Sequence, residues 1–133
     1  LGKLNLYLVV FGEQVKKIVP NHRLYILHVC VLAPLFEELI FRETPLRRTL
    51  NTYWLEQRKA VVISTIAAIS VIFGYLHGSV LNIFLQGVGG LVLSWVYLAN
   101  NRSYLSAVIT HSLYNTTLVA TSALGVLPIN VLI

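Results

Sequence analysis

Charge is what this sequence is shortest of. Only 11% of its 133 residues are Asp, Glu, Lys or Arg, less than half of the roughly 25% usual for a soluble domain. The shortage is concentrated in two stretches. No charged residue occurs from Ala60 to Asn101, a run of 42, or from Ser103 to Ile133, another 31. A membrane-spanning helix takes about 20 apolar residues, so these runs have room for three spans. A soluble globular domain and a disordered tail are both excluded. Aspartate is absent, and five glutamates carry all the negative charge. Cys30 is the single cysteine, which excludes an internal disulfide and a thiolate metal cage; in its apolar stretch it reads as a packing residue. Methionine is absent even from the first position, so the chain is expected to be a piece of a longer one, with Leu4 to Gly12 as the truncated end of an earlier helix. No signal-peptide pattern with a cleavage site is visible.

The ten Lys and Arg leave a net charge of +5, but they do not point to nucleic acid. They gather in short connections, at Lys16, Lys17 and Arg23 and again from Arg42 to Lys59, as membrane proteins use charge to set orientation. The preferred orientation has Arg47, Arg48, Arg58, Lys59 and Arg102 on the cytoplasmic side, with Lys16, Lys17 and Arg23 against the rule. Between breakers, the apolar segments run from about Leu24 past Phe41, from Ala60 to His77, from Val80 to Ala99, and from Tyr104 to about Leu124. The expected fold is all-α: a polytopic transmembrane helical bundle of about four spans plus a truncated N-terminal helix. One domain covers 1–133, with a partial helix and turn over 1–23 and the core over 24–133. Small residues at four-residue spacing (Ser64 and Ala68, Gly74 and Gly78, Gly90 and Ser94) suit close helix packing in lipid.

Polar residues inside such segments need a reason. Glu37 and Glu38 lie 13 residues into the uncharged stretch that starts at Leu24. Each carboxylate near the bilayer centre costs about 2.5–3.5 kcal/mol, and Arg42 a similar amount, so these groups face the protein interior or a wet cavity. Glu38 and Arg42 share a helix face at i, i+4 and read as an ion pair. Glu37 points about 100° away with no local partner. Neighbouring carboxylates raise one another's proton affinity, which suits proton acceptance. His77 ends the second segment, where a boundary residue is the plain alternative. His111 and Asn115 share a face of the fourth segment, where an interhelical hydrogen bond of about 0.6–2 kcal/mol is the plain alternative. Taken together, a carboxylate, two imidazoles and a carboxamide on apolar helices can bind and activate one water and stabilise an oxyanion, the equipment of peptide hydrolysis. HExxH is absent. Depth counting pairs Glu37 with His77 only if the first helix continues through Thr44-Pro45 to about Leu50. It leaves His111 about 11–12 Å from the Arg102 end, against about 25 Å for His77.

Three motifs carry a resemblance. Glu37-Glu38-Leu39-Ile40-Phe41-Arg42 resembles an EExxxR motif, Phe73 to His77 an FxxxH motif, and His111 to Asn115 an HxxxN motif, in the order found in the CPBP family, the CAAX proteases and bacteriocin-processing (Abi) enzymes. Pro34, three residues before Glu37, is also typical. The resemblance covers about residues 28–124 and implies a glutamate-dependent intramembrane metalloendopeptidase. By that resemblance, Glu37 with His77 would activate water, His111 with Asn115 would stabilise the oxyanion, and Glu38 and Arg42 would support the site. Glu37, His77 and His111 could supply three ligands to zinc or another divalent metal; the same groups could also act without one. The implied partners are the lipid bilayer and a peptide or protein substrate, of CAAX type or bacteriocin type, in a multi-pass protein expected in a bacterial plasma membrane. Glu43 departs from the family, which usually has glycine there, and could pair with Arg47. The alternatives are a non-enzymatic protein of bacteriocin self-immunity or scaffolding, and an ion or proton carrier. The carrier predicts broken half-helices and repeats, which the sequence lacks. Two Asn-x-Ser/Thr matches, at Asn101 and Asn115, are read as accidental.

Overall fold

The computed structural model describes residues 22–52, 57–78 and 80–124; the partial helix expected around Leu4 to Gly12 lies outside them. The first described element is a rod of five helical stretches. These are α1 (His22–Leu27), a π-helical turn (His28–Leu32), α2 (Ala33–Glu38), a second π turn (Leu39–Glu43) and α3 (Thr44–Asn51). Leu27, Leu32, Glu38 and Glu43, at the junctions, all keep right-handed helical angles, so the rod is continuous.

The π turns have a cause in the sequence. Each is followed by a residue and then a proline, Ala33-Pro34 and Thr44-Pro45. Proline lacks an N–H, and its ring clashes with the carbonyl four residues back. Widening the preceding turn by one residue relieves the clash. Ala33 N–H accordingly bonds to His28 O and Thr44 N–H to Leu39 O, each five residues back. The Thr44 hydroxyl donates to Leu39 O as well, at 2.8 Å. In this way the rod passes Pro45 and reaches Asn51, the continuation that the depth count required.

Three more helices follow: α4 (Lys59–Leu76), α5 (Val80–Ala99) and α6 (Tyr104–Ala123). Gly78, at φ +102°, makes the turn from α4 to α5, and Asn101 and Arg102, at φ 55° and 61°, make the turn into α6. α4 and α5 form the most extensive pair. A Cβ on Gly74 would lie 2.5 Å from Asn82 O and 2.6 Å from Ile83 Cα, so only glycine allows this approach. The apolar core at the α3 end contains Leu46, Leu50, Ile69, Tyr97 and Ala107. Phe36, Ile63, Phe84, Trp95 and Leu113 point outward, as suits a surface solvated by lipid.

This is an integral-membrane helical bundle, as expected. Among the described residues three helices are long and apolar enough to cross a membrane, Arg23–Asn51, Lys59–Leu76 and Val80–Ala99. α6 has the length, but Thr110, His111, Ser112, Asn115, Thr116, Thr117 and Thr121 dilute its apolar character.

Candidate active site

The rod, α4, α5 and α6 converge on Glu38. Its side chain is fully buried, as is that of Arg42 one turn on, and Arg42 Nη1 donates to Glu38 Oε1 at 3.0 Å. Arg42 Nη2 donates to Gly90 O on α5 at 3.1 Å. That carbonyl also accepts from Ser94 Oγ at 2.8 Å. The guanidinium lies over the ring of Phe73 on α4, 4.6 Å from its centroid, where its charge meets the negative face of the ring. Arg42 thus links the rod to α4 and α5 while neutralising Glu38.

Glu38 Oε1 has a second partner, His111 Nδ1 on α6, at 2.8 Å. A carboxylate only accepts, so Nδ1 carries a proton. The other nitrogen, Nε2, faces Glu37 Oε2 at 3.6 Å. Glu37 is the wetter of the two carboxylates, its side chain 29% exposed against none for Glu38. The adjacent glutamates therefore have different environments: one is locked in an ion-paired network, and the other faces an imidazole with access to water. Glu38 Oε2, Arg42 Nε and Ser70 Oγ are buried with no hydrogen-bond partner among the described residues.

His77 closes α4. Its Nδ1 donates to Phe73 O at 2.7 Å, which leaves Nε2 as the nitrogen available to a ligand or water. Phe73 stands between the two imidazoles, 4.5 Å from the His77 ring and 5.9 Å from that of His111. The FxxxH motif includes Phe73 but assigns it no role; its contacts with Arg42 and both histidines make it the hub of the site. Asn115 Nδ2 donates to Val29 O, in the first π turn, at 2.9 Å. Tyr104 OH donates to Leu35 O at 2.7 Å; Arg102 on Leu50, His111 on Glu38 and Asn115 on Val29 set α6 antiparallel to the rod.

The structure thus brings Glu37, Glu38, Arg42 and His111 into one network, sets His77 against its far side through Phe73, and hangs Asn115 on the rod. Glu37, His77 and His111 do not stand together as a ligand set. Among the described residues no three His, Cys, Asp or Glu side chains are grouped so that they could hold a metal ion.

Glu43 does pair with Arg47, Oε1 to Nε at 2.5 Å. Its other oxygen accepts from Tyr97 OH at 3.1 Å. That contact, like the Gly90 carbonyl, comes from α5, which carries no charged residue and gave no signal of chemistry.

A family model described as type II CAAX prenyl endopeptidase Rce1-like matches residues 20–117, a range that takes in every residue of the network. Neither a curated protein nor a solved structure matches the chain. The matched range is well over half of the sequence and agrees with the helical membrane architecture, so the chain belongs to the Rce1-like family, the CAAX-type intramembrane proteases of the CPBP group.

Proposed function

We propose that this chain is an intramembrane endopeptidase that hydrolyses a peptide bond in a membrane-associated, CAAX-type peptide or protein. The observation that carries the reading is the placement of His111, with Nδ1 bound to Glu38 at 2.8 Å and Nε2 facing Glu37 at 3.6 Å. Glu37, the accessible carboxylate, is the general base. It takes a proton from water, and the hydroxide attacks the scissile carbonyl carbon. His77, with Nδ1 tied to Phe73 O, accepts from that water at Nε2 and orients it.

The oxyanion needs donors. In this reading His111 carries a proton on both ring nitrogens, giving Nδ1–H to Glu38 Oε1 and Nε2–H to the developing charge. Asn115 supplies a second N–H. Donors fixed in a site of low dielectric stabilise charge far better than water does, and losing one typically costs about 10²–10³ in rate. Collapse of the intermediate breaks the C–N bond, and the proton on Glu37 passes to the leaving amine. Phe36 and Ile40, beside Glu37 in the chain, are exposed on the lipid-facing side, which suits a substrate that arrives along the membrane.

The test is Glu37→Gln in the full-length protein, with protein termini compared by mass spectrometry in cells expressing either form. New peptide ends that vanish in Glu37→Gln, while both forms are folded and inserted, are the expected result and name the substrate. Equal termini would replace this reading with a binding or immunity role.

A further inference from the structure

The Val29 carbonyl that holds Asn115 is free to do so for a specific reason. In an α-helix its donor would be the N–H four residues on, at Ala33, but that N–H bonds to His28 O in the widened turn. In a π-helix the donor would be five residues on, at Pro34, which has no N–H. The rod can serve Val29 O with neither bond. An unpaired backbone carbonyl away from water costs about as much as a lost hydrogen bond, and Asn115 Nδ2 answers it at 2.9 Å.

The bond fixes more than position. A carbonyl accepts only, so it selects Nδ2 over Oδ1 and settles which way the carboxamide faces. One of the two Nδ2 hydrogens is used, and the second is left for another acceptor. Asn115 lies one turn below His111 on the same face of α6.

We infer that Pro34 is a positioning residue for the proposed hydrolysis: by emptying the Val29 carbonyl it holds Asn115 by one N–H and presents the other to the oxyanion. This rests on the reading in which Asn115 is an oxyanion donor. Pro34 itself is fully buried in the rod and makes no contact with the reacting atoms.

The experiment uses the full-length protein in detergent micelles or nanodiscs, with a prenylated CAAX peptide as probe. Pro34→Ala restores an N–H at position 34, so a backbone donor again reaches Val29 O and competes with Asn115. The expected result is a fall in kcat of about 10–100-fold with KM nearly constant, since the lost interaction belongs to the transition state. Pro34→Ala adds no further loss in an Asn115→Ala background. The side-chain amide signal of Asn115 in a nitrogen-labelled sample shifts in Pro34→Ala, independently of turnover. An unchanged kcat with an unmoved amide signal overturns the proposal, and so do additive losses in the double variant. If Pro34→Ala does not fold, the unsubstituted protein still decides: both Asn115 amide protons open to water would overturn it. If Asn115→Ala alone keeps full activity, the oxyanion role fails, and the amide shift then reports separately whether Pro34 holds the carboxamide.

Discussion

Glu37 and Glu38 are neighbours in the chain and opposites in environment, and substitution should separate them. Glu38 and Arg42 are both fully buried. Removing one member of such a pair strands the other charge, at a cost of about 3–5 kcal/mol, whereas replacing both with apolar groups of similar volume is often neutral. Arg42→Met and Glu38→Leu should therefore each lower the unfolding temperature in detergent markedly, and the double variant should recover most of it. Activity should not recover, because His111 Nδ1 then has no carboxylate to hold it. Glu37→Gln, at a partly wet position, should leave thermal stability close to that of the parent while abolishing cleavage. Restored cleavage in the double variant would refute the role given to Glu38. The residues of this network were legible because a charge inside an apolar run is conspicuous. Their pairing was only half legible: Glu38 with Arg42 follows from helical spacing, but Glu38 with His111 joins segments 73 positions apart.

At the scale of elements, the α4–α5 hairpin holds Phe73 and His77 against the network, and Gly74 sets its closeness. A Cβ there would meet backbone atoms at 2.5–2.8 Å, and backbone cannot swing aside as a side chain can. Gly74→Ala should destabilise the bundle by about 1–3 kcal/mol, the usual range for overpacking, and lower activity because His77 moves with the hairpin. Gly89, two residues beyond Gly87 and on the other side of α5, faces open space; Gly89→Ala should be neutral or slightly stabilising, since alanine is the better helix former. Thermal melts of the two variants, run side by side, check this directly. The sequence marked Gly74, Gly78, Gly90 and Ser94 as packing residues by their spacing; the structure packs Gly74, Gly90 and Ser94, while Gly78 faces open space and makes the turn into α5. It marked Ser64 and Ala68 equally, yet both are exposed, since spacing says which residues share a face and not whether a neighbour covers it. The π turns escaped the periodicity altogether. One extra residue in a turn leaves the apolar pattern almost unchanged, and only the two prolines hinted at them.

Across the whole molecule, depth counting along straight helices put His77 and His111 far apart, yet Phe73 touches both rings. Counting residues from one surface assumes helices that all cross at the same level, and α6 does not keep to that. It leaves the Asn100–Ser103 turn through two left-handed residues, near the end of α3, where Arg102 Nη1 reaches Leu50 O at 3.5 Å. It then runs down the rod with His111 on Glu38 and Asn115 on Val29, while the exposed Thr116 and Thr117 donate to carbonyls of their own helix. Its imidazole and carboxamide are tolerable because the rod answers them, and its threonines because their own helix does. This gives a prediction about assembly. On insertion scales a helix is accepted by its summed hydropathy, with a penalty for each polar residue near its centre. α5, with no charged residue across Val80–Ala99, should insert by itself when placed in a host protein carrying glycosylation reporters on both sides. α6, placed in the same host, should insert poorly, and His111→Leu with Asn115→Leu should raise its insertion to the level of α5. Within the complete chain the same two substitutions should leave insertion unchanged, because the rod already supplies the partners, and should eliminate cleavage. Efficient insertion of isolated α6 would mean that its polar face needs no help from the rod, and the dependence of this bundle on the α6–rod contacts would have to be given up.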